Sequence, residues 1–297
     1  MIVVLNGVAQ HSAAYIEDYA NRFDQVQFDF IELSENLGSA EGFAVALDAA
    51  SATSAKFVWL LDDDNLPETG ALMHALDHAV ALSARYDKYA VACVRDTDDS
   101  HQLLLAGAGP ALAFPPVGSF FGFDIIRRLI GKVRPRRAAI AQTEAPIELP
   151  QAPYGGLLLP TEIVRNNDGP RRDFLLYFDD VEYTRRLVDN GVHLELEPLA
   201  RITEIVDKWA DKASHGTYLR GMINSGDRRK IYCSYRNGAF LDVMAADRLS
   251  ARVRLALNVA VYSAYVTLSA RFKNRWFVSL YATAVVRGLQ GNFSTSS

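Results

Sequence analysis

The stretch Phe57-Val-Trp-Leu-Leu-Asp-Asp-Asp-Asn-Leu-Pro-Glu68 decides the fold class of this chain. Five apolar residues run directly into three carboxylates, Asp62, Asp63 and Asp64, and the turn sequence Asn65-Leu-Pro67 follows them. A continuous apolar run of this length predicts a strand that is buried on both faces, as in a parallel sheet. Because ligands of open α/β sheets collect beyond the carboxyl ends of the strands, the triplet is a candidate binding site.

Three adjacent carboxylates repel one another and need a counter-charge. A hard divalent cation with oxygen ligands supplies one, and Mg²⁺ or Mn²⁺ bound in this way usually also binds substrate phosphates. The alternative is a solvated acidic turn that opens the next helix, because Asp and Asn are good N-caps. The hydrophobic strand directly before the triplet favours the cation site.

The composition is that of an ordinary globular protein. Of the 297 residues, 49% are hydrophobic and 22% are charged, which allows a sizeable core. The net charge of −4 argues against a general nucleic-acid binder. Cys93 and Cys233 form no motif, which is typical of a reduced, cytoplasmic protein. The N-terminus lacks the basic segment of a signal peptide, and no uninterrupted apolar run of about 18 residues predicts a spanning helix.

The first 61 residues alternate between strand and helix patterns. Strand patterns cover residues 2–5, 26–33 and 57–61, and helical patterns cover residues 12–23 and 39–51. This order predicts an α/β fold with a Rossmann-like, mostly parallel sheet flanked by helices.

Between residues 96 and 150 the pattern becomes irregular. We expect an insertion here, within a domain that spans residues 1–240 and is followed by a helical region over residues 241–297. Long irregular insertions in compact domains are usually functional or disordered. The insertion carries a basic run that is either a solvated face or a phosphate-binding segment: Arg127, Arg128, Lys132, Arg134, Arg136 and Arg137.

A second acidic motif, Asp179-Asp180, opens a helical pattern. Carboxylates in the first turn of a helix are favoured by the helix dipole, which gives a structural explanation of the pair. The functional alternative is that one of the two faces the same cleft as the triplet and acts as a general base.

Six segments carry a family resemblance by their order and spacing. They are Asn6-Gly7, Glu35-Asn-Leu-Gly38, Trp59-Leu-Leu-Asp-Asp-Asp-Asn-Leu-Pro-Glu68, Tyr154-Gly-Gly156, Tyr177-Phe-Asp-Asp-Val-Glu-Tyr-Thr-Arg-Arg186 and Tyr232-Cys-Ser-Tyr-Arg-Asn237. Together they resemble the inverting family-2 glycosyltransferases of the GT-A fold, in particular their bacterial galactofuranosyl- and rhamnosyltransferase branch. The resemblance covers roughly residues 1–240.

The resemblance implies roles for individual residues. Asp62 and Asp64 would hold Mn²⁺ or Mg²⁺ on the donor diphosphate, and Asp180 would be the catalytic base. Asp63 would face the donor sugar or ribose. The implied substrate-binding residues are Asn6, Asn36, Gly38, Asp63, Gly155, Gly156 and Asp179.

Three departures from the family pattern stand out. The family usually begins with a further strand that helps to hold the nucleotide base, and this chain begins at the counterpart of the second strand. Leu5 and Val8 flank Asn6-Gly7 where the family often has polar residues. Where the family often has a histidine as third metal ligand, this chain has Glu204, an acceptable hard ligand, and the nearest histidine is His215. We expect Glu204 to complete the metal site.

The C-terminal region has no acidic residue after Asp247, and its two apolar helical stretches, residues 255–270 and 276–286, are too short to span a bilayer. They predict either a helical hairpin that packs on the domain or on another subunit, or an interfacial membrane anchor. The anchor would place aromatic side chains at headgroup level and arginines near anionic lipid. These residues are Tyr262, Tyr265, Trp276, Tyr281, Arg248, Arg252, Arg254, Arg271, Lys273, Arg275 and Arg287.

The leading hypothesis is therefore a metal-dependent inverting glycosyltransferase of cell-surface polysaccharide biosynthesis. By resemblance its donor would be UDP-galactofuranose or dTDP-rhamnose, and its acceptor a glycan or lipid-linked glycan. We expect it in the cytoplasm, with peripheral contact to the inner face of the cell membrane as a further possibility. A catalytically silent relative that binds a glycan or a partner is the alternative. A metal-dependent phosphohydrolase explains the triplet but not Tyr154-Gly-Gly156.

Overall fold

The computed structural model describes residues 1–130, 143–205, 218–270 and 274–294. Its strands are β1 (Ile2–Asn6), β2 (Asp29–Leu33), β3 (Phe57–Trp59), β4 (Asn65–Pro67), β5 (Tyr89–Arg95), β6 (Ile147–Glu148), β7 (Leu157–Pro160) and β8 (His193–Glu204). The helices of the first half are α1 (Gln10–Ala20), α2 (Ser39–Ser51), α3 (Ala71–Ser83), α4 (Asp99–Leu105), α5 (Pro110–Ala113) and α6 (Ile125–Ile130). Those of the second half are α7 (Thr161–Arg165), α8 (Asp179–Asp189), α9 (Tyr218–Ser225), α10 (Arg228–Ala245), α11 (Leu249–Ala270) and α12 (Arg275–Leu289).

The strands form two sheets. β1 and β2 make a parallel pair, and the larger sheet has the order β3-β7-β5-β8-β4, with β6 paired to β8. Within the larger sheet, β5 and β8 form the one parallel pair of neighbours among the strands that the structure describes, while β3, β5 and β8 share one direction and β4, β6 and β7 run the other way. The predicted α/β class with flanking helices is confirmed, but the sheet is mixed, and the prediction of a mostly parallel sheet is wrong. A strand buried on both faces has the same apolar pattern in either direction, so the pattern could not show that β7 runs antiparallel.

The middle of the larger sheet is buried on both faces. Along β5, Ala90, Ala92 and Val94 point into the cluster formed with α2, α4, α7 and α8. The alternate residues Val91 and Cys93 point into a second cluster, which they share with α3. This alternation follows from the period of two along a strand.

β3, which carries the apolar run before the triplet, lies instead at the end of the strand order. Val58 packs against the first cluster and Phe57 and Trp59 against the second, but all three are only partly buried, so the predicted burial of this strand on both faces is incomplete.

The C-terminal helices form a further core together with the insertion. Phe120, from the insertion, is fully buried against Tyr235 of α10 and against Phe277 and Tyr281 of α12. The domain boundary predicted at residue 240 falls inside α10.

The long helix α11 differs from its sequence-based expectation. It begins at Leu249 rather than near residue 255 and runs for 22 residues. In the part of the chain that the structure describes, it is the one helix that is long and apolar enough to cross a membrane, judged by length and composition alone.

Candidate active site

A cavity of about 660 Å³ lies at one edge of the larger sheet, and we call it the acidic cavity. Asp62 and Asp63 reach it from the turn after β3, and Asp179 and Asp180 reach it from the first turn of α8. The structure thus brings together two acidic motifs that are far apart in sequence. Other lining residues are Ser39, Phe43, Asn65, Arg95, Tyr154, Gly155, Leu176, Tyr177, Phe178, Val181, Lys230 and Ser234.

Asn65 holds the acidic triplet in a closed turn. Its backbone N–H donates to the Asp62 carbonyl oxygen at 3.1 Å, and its side-chain Oδ1 accepts from the Asp62 N–H at 2.9 Å. Its Nδ2 donates to Asp64 Oδ1 at 2.8 Å. Asp62 and Asp63 therefore line the acidic cavity, whereas Asp64 lies outside its lining and is oriented by Asn65.

The two glycines before β7 allow a close approach between segments. A Cβ on Gly155 would lie 2.2 Å from Asn65 Oδ1, so the backbone at Gly155 packs directly against the triplet turn. Gly156 has a φ of 89°, and a Cβ there would lie 2.7 Å from Cys93 Cβ. Gly155 lines the acidic cavity, while Gly156 faces the packed core beneath it.

Asp179, the first residue of the acid pair, is withdrawn from solvent, and Asp180 is partly exposed. Asp179 is 2% exposed, and its Oδ1 accepts a hydrogen bond from Ser39 Oγ at 3.1 Å. Its Oδ2 has no hydrogen-bond partner among the described residues. Burial, followed by the charges of Asp180 and Asp62, raises the pKa of Asp179 to about 7. The two acidic motifs are thus coupled electrostatically as well as joined in space.

Asp180 differs from Asp179 in its partners. Its Oδ1 accepts from the Val181 N–H at 2.8 Å. Burial raises the pKa of Asp180, against this hydrogen bond and the positive charge of Arg95, which lower it. Both carboxylates are thus set to exchange a proton at a higher pH than an ordinary aspartate.

Arg95 is the main lining residue that the sequence analysis missed. It ends β5 at the same sheet edge as the triplet, so the rule that identified Asp62 would also have identified it. Its guanidinium contacts Glu204, whose carboxylate also accepts from the hydroxyl of Thr97. Glu204 stands opposite Asn65 in the pairing of β4 with β8. A cation would have to compete with Arg95 for the Glu204 carboxylate, and its role as third ligand stays a prediction.

Asn6, Asn36 and Gly38 build the loop that leads into α2. The Asn6 side chain donates to the Gly38 carbonyl at 2.9 Å and accepts from the Leu37 N–H at 2.9 Å. Asn36 Oδ1 accepts from the Gly38 N–H at 3.0 Å. None of these three residues lines the acidic cavity. The nearest lining residue in the sequence is Ser39, directly after Gly38. Their role in nucleotide binding stays a prediction.

The backbone before the acid pair is held by α10. Leu175, Tyr177 and Phe178 have positive φ values of 63°, 64° and 64°, a conformation that costs side-chain-bearing residues free energy. Asn237 Nδ2 donates to the carbonyls of Phe174, Leu176 and Tyr177, and Arg236 Nη2 donates to those of Asp173 and Phe174. Asn237 and Arg236 thus position the candidate base without touching the cavity.

A second cavity, of about 1050 Å³, adjoins the first, and Phe178 and Val181 line both. We call it the aromatic cavity, after Phe121, Phe123, Phe178 and Tyr262 in its wall. Its polar lining includes Arg128, Gln151, Arg185 and Asp242. Of the predicted basic run, Arg128 lies in this lining, and the positions from Lys132 to Arg137 lie outside the described residues, as does His215.

No family model and no curated protein sequence matches the chain. Solved structures do match it. The crystal structure of GalNAc-T7 with UDP, GalNAc and Mn²⁺ matches 86% of this chain and 47% of its own length, with a TM-score of 0.50 and 10% identity. The chain has the GT-A fold. It spans about half the length of that structure.

Two further structures score below 0.5 and add nothing to the assignment. The mannosyltransferase PcManGT from Pyrobaculum calidifontis, in complex with GDP-Man and Mn²⁺, has a TM-score of 0.48 and 15% identity over 98% of this chain and 76% of its own. TarS 1–349 from S. aureus, in complex with UDP, has a TM-score of 0.43 and 14% identity over 98% of this chain and 82% of its own.

The lining of the acidic cavity fits a hard cation that is shared with phosphate oxygens. Among the described residues, no group of three or more His, Cys, Asp or Glu side chains is placed so that it could hold a metal by itself. Mg²⁺-type sites usually need only one or two carboxylates together with substrate phosphates and water. Asp62, which lines the cavity, can supply such a carboxylate.

Proposed function

We propose that this protein is a metal-dependent, inverting glycosyltransferase that moves a sugar from a nucleotide-diphosphate donor to an acceptor hydroxyl. The observation that carries the proposal is the convergence of Asp62 and Asp63 of the triplet and of the Asp179-Asp180 pair on one cavity in a GT-A fold. Three buried polar atoms of lining residues also have no partner among the described residues: Arg95 Nε, Tyr154 Oη and Asp179 Oδ2. Unpaired buried groups of this kind are costly, and a bound ligand would pair them.

On this proposal the triplet binds the donor. Asp62 and Asp64 would hold Mn²⁺ or Mg²⁺, which when bound stabilises the charge on a departing diphosphate. Asp63 reaches the same cavity and would orient the donor sugar or ribose. Arg95 and Lys230 also line the cavity and place positive charge near bound phosphates.

Asp180 would take the proton from the acceptor hydroxyl. Its raised pKa suits a general base, because a carboxylate of higher pKa has a higher proton affinity. An attack from the face opposite the diphosphate inverts the anomeric centre. Asp179, held by Ser39, would instead bind the substrate through its unpaired oxygen.

The aromatic cavity is the proposed acceptor site. It is built largely by the predicted insertion and by the C-terminal helices, and it opens beside the candidate base at Val181. Aromatic faces with a few polar groups suit a sugar ring, which has apolar faces and polar edges. By resemblance the donor is of the UDP-galactofuranose or dTDP-rhamnose type, and the acceptor is a glycan or lipid-linked glycan of cell-surface polysaccharide in the cytoplasm.

Calorimetric titration with UDP and with dTDP, each with and without Mn²⁺, tests the donor site. We expect binding that requires Mn²⁺, is lost in Asp62→Asn and is retained in Asp77→Asn, a matched change at an exposed position of α3. If neither nucleotide bound with metal, or if both variants lost binding equally, the proposed donor site would be wrong.

A catalytically silent relative is the second candidate, and the engagement of Glu204 by Arg95 favours it. Asp180→Asn separates the two functions. In a transferase it lowers turnover by about 10²-fold or more while nucleotide affinity is kept. In a silent protein with the same nucleotide affinity, wild type and Asp180→Asn would both show no transfer to any acceptor.

A further inference from the structure

The outer face of α11 is apolar and exposed. Leu249, Val253, Leu257 and Leu268 are 79%, 63%, 47% and 77% exposed. At about 100° per residue they fall on one side of the helix. The remaining exposed positions on this side are small or uncharged: Ala256, Ala260, Ala264 and Thr267. From residue 255 to residue 270 the sequence has no charged side chain.

The inner face of α11 is fixed to the body of the protein by polar contacts. Asn258 is fully buried, and its side chain donates to the Gly118 carbonyl at 2.8 Å and accepts from the Ile125 N–H at 2.9 Å. One turn earlier, Arg254 donates to Asp124 at 2.6 Å. Because these contacts would be broken if α11 crossed a bilayer, the helix suits a surface position, with its length parallel to a membrane.

Positive charge flanks the apolar stretch. Arg248, before the helix, is 83% exposed and lies 3.6 Å from the Asp247 carboxylate, and Arg252 lies in the first turns of the helix. Arg271, Lys273 and Arg275 follow it in the sequence, and no acidic residue occurs after Asp247. A long apolar face between basic ends is the pattern of a helix that lies in an anionic membrane interface.

We propose that the outer face of α11 docks on an anionic lipid surface. A second copy of the chain is the other occupant that an apolar helix face would suit. A pairing of two such faces would bring the basic ends of two helices together, with Asp247, which pairs with Arg248, as the last acid of the sequence to neutralise them. Anionic headgroups supply that neutralisation, which is why charge complementarity favours lipid.

The docked orientation has a consequence for the site. Tyr262, on the inner side of α11, lines the aromatic cavity, so the helix is one wall of that cavity and also the lipid-facing element. If the proposed transferase function holds, this arrangement suits an acceptor whose lipid part stays in the membrane. The docking itself does not depend on the catalytic proposal.

Vesicle flotation tests the docking with the full chain. We expect the protein to float with vesicles of phosphatidylcholine and phosphatidylglycerol, and to stay in solution with phosphatidylcholine alone or at high salt. The double variant Leu257→Glu/Leu268→Glu should lower the bound fraction at least about tenfold, since two charges would enter an apolar interface. The control is Met73→Glu/Val80→Glu, the same change at residues of α3 that are 59% and 62% exposed.

Each outcome decides the proposal. Retention in solution with all vesicles, or an equal loss for both double variants, would overturn it. So would a wild-type dimer in sedimentation that Leu257→Glu/Leu268→Glu converts to a monomer, because the face would then join two copies. Metal-dependent nucleotide binding, measured on the same preparations, reports separately on the proposed donor site.

Discussion

Asn237 donates a hydrogen bond of 2.9 Å from its side-chain amide to the carbonyl oxygen of Tyr177. Asn237 is fully buried in α10, whereas Tyr177 lines the acidic cavity two residues before Asp179. The contact ties a helix of the C-terminal core to the backbone that presents the acid pair. The geometry of the candidate base is therefore set by a residue that lies outside the cavity.

Asn237→Ala should impair both folding and transfer. It removes the donor from three carbonyls, and we expect a loss of about 2–3 kcal/mol in the free energy of unfolding. It should also lower the transfer rate, because the positive-φ segment before Asp179 loses its support. Urea unfolding and an activity assay measure the two effects. The control is Asn258→Ala, which removes another fully buried amide. If both variants lost stability and activity in the same proportion, a positioning role of Asn237 would be excluded.

Arg95→Gln should move the acidic limb of the rate–pH profile to higher pH. Burial raises the pKa of Asp180 and the charge of Arg95 lowers it, so removal of this charge raises it further. A smaller fraction of Asp180 is then charged at a given pH, so the acidic limb should move to higher pH. Arg165→Gln, whose guanidinium binds the Ser51 and Thr53 carbonyls instead, should leave the limb in place. A shift to lower pH would contradict the assignment of Asp180.

Gly155→Ala should disturb the acidic triplet. The added Cβ would lie 2.2 Å from Asn65 Oδ1, the atom that accepts from the Asp62 N–H. We expect a stability loss of about 1–3 kcal/mol and weaker metal-dependent nucleotide binding. Gly169→Ala, where a Cβ would meet nothing within 4 Å, is the matched control. Normal nucleotide affinity in Gly155→Ala would show that the turn tolerates displacement.

Asp242 in the aromatic cavity should make stability depend on pH. Burial raises its pKa to about 7, against hydrogen bonding from the Phe121 N–H and the charge of Arg185. Because the folded-state pKa lies above the ordinary value of 3.8, the folded protein binds the proton more tightly, and stability falls as pH rises from about 4 to about 7.

Asp242→Asn keeps an acceptor for Phe121 and removes this titration. Relative to wild type, its free energy of unfolding should therefore increase over the same pH range, by at most about 4 kcal/mol. Urea unfolding at a series of pH values measures the difference. The control is Asp247→Asn, at a residue whose side chain is 68% exposed. Its free energy of unfolding should vary with pH as that of the wild type does. The prediction would be refuted if the free energy of unfolding of Asp242→Asn also varied with pH as that of the wild type does.

The sequence was most informative where one local rule determined the structure. An apolar run followed by acids predicted that Asp62 lies at a sheet edge, and the first turn of a helix predicted the place of Asp179 and Asp180. Each of these two predictions used only residues within about a dozen positions of the acidic motif. The α/β class followed from the same patterns.

Long-range relationships were not predictable in the same way. The direction of β7 depends on how the chain returns after the insertion, and an apolar pattern carries no direction. The contact between Glu204 and Arg95 joins the ends of two strands that are neighbours only in the folded sheet. The hydrogen bond from the Asn6 side-chain amide to the Gly38 carbonyl likewise joins positions that are far apart in the sequence, so no local pattern predicts it.

Phe178 and Val181 form a common wall between the acidic and aromatic cavities. A molecule that shifted the Phe178 ring would change the shape of both spaces, so occupancy of one cavity would alter affinity in the other. Thermodynamic linkage makes this effect reciprocal. In steady-state kinetics, the Michaelis constant for one substrate would then vary with the concentration of the other, and the two substrates would not saturate the enzyme independently.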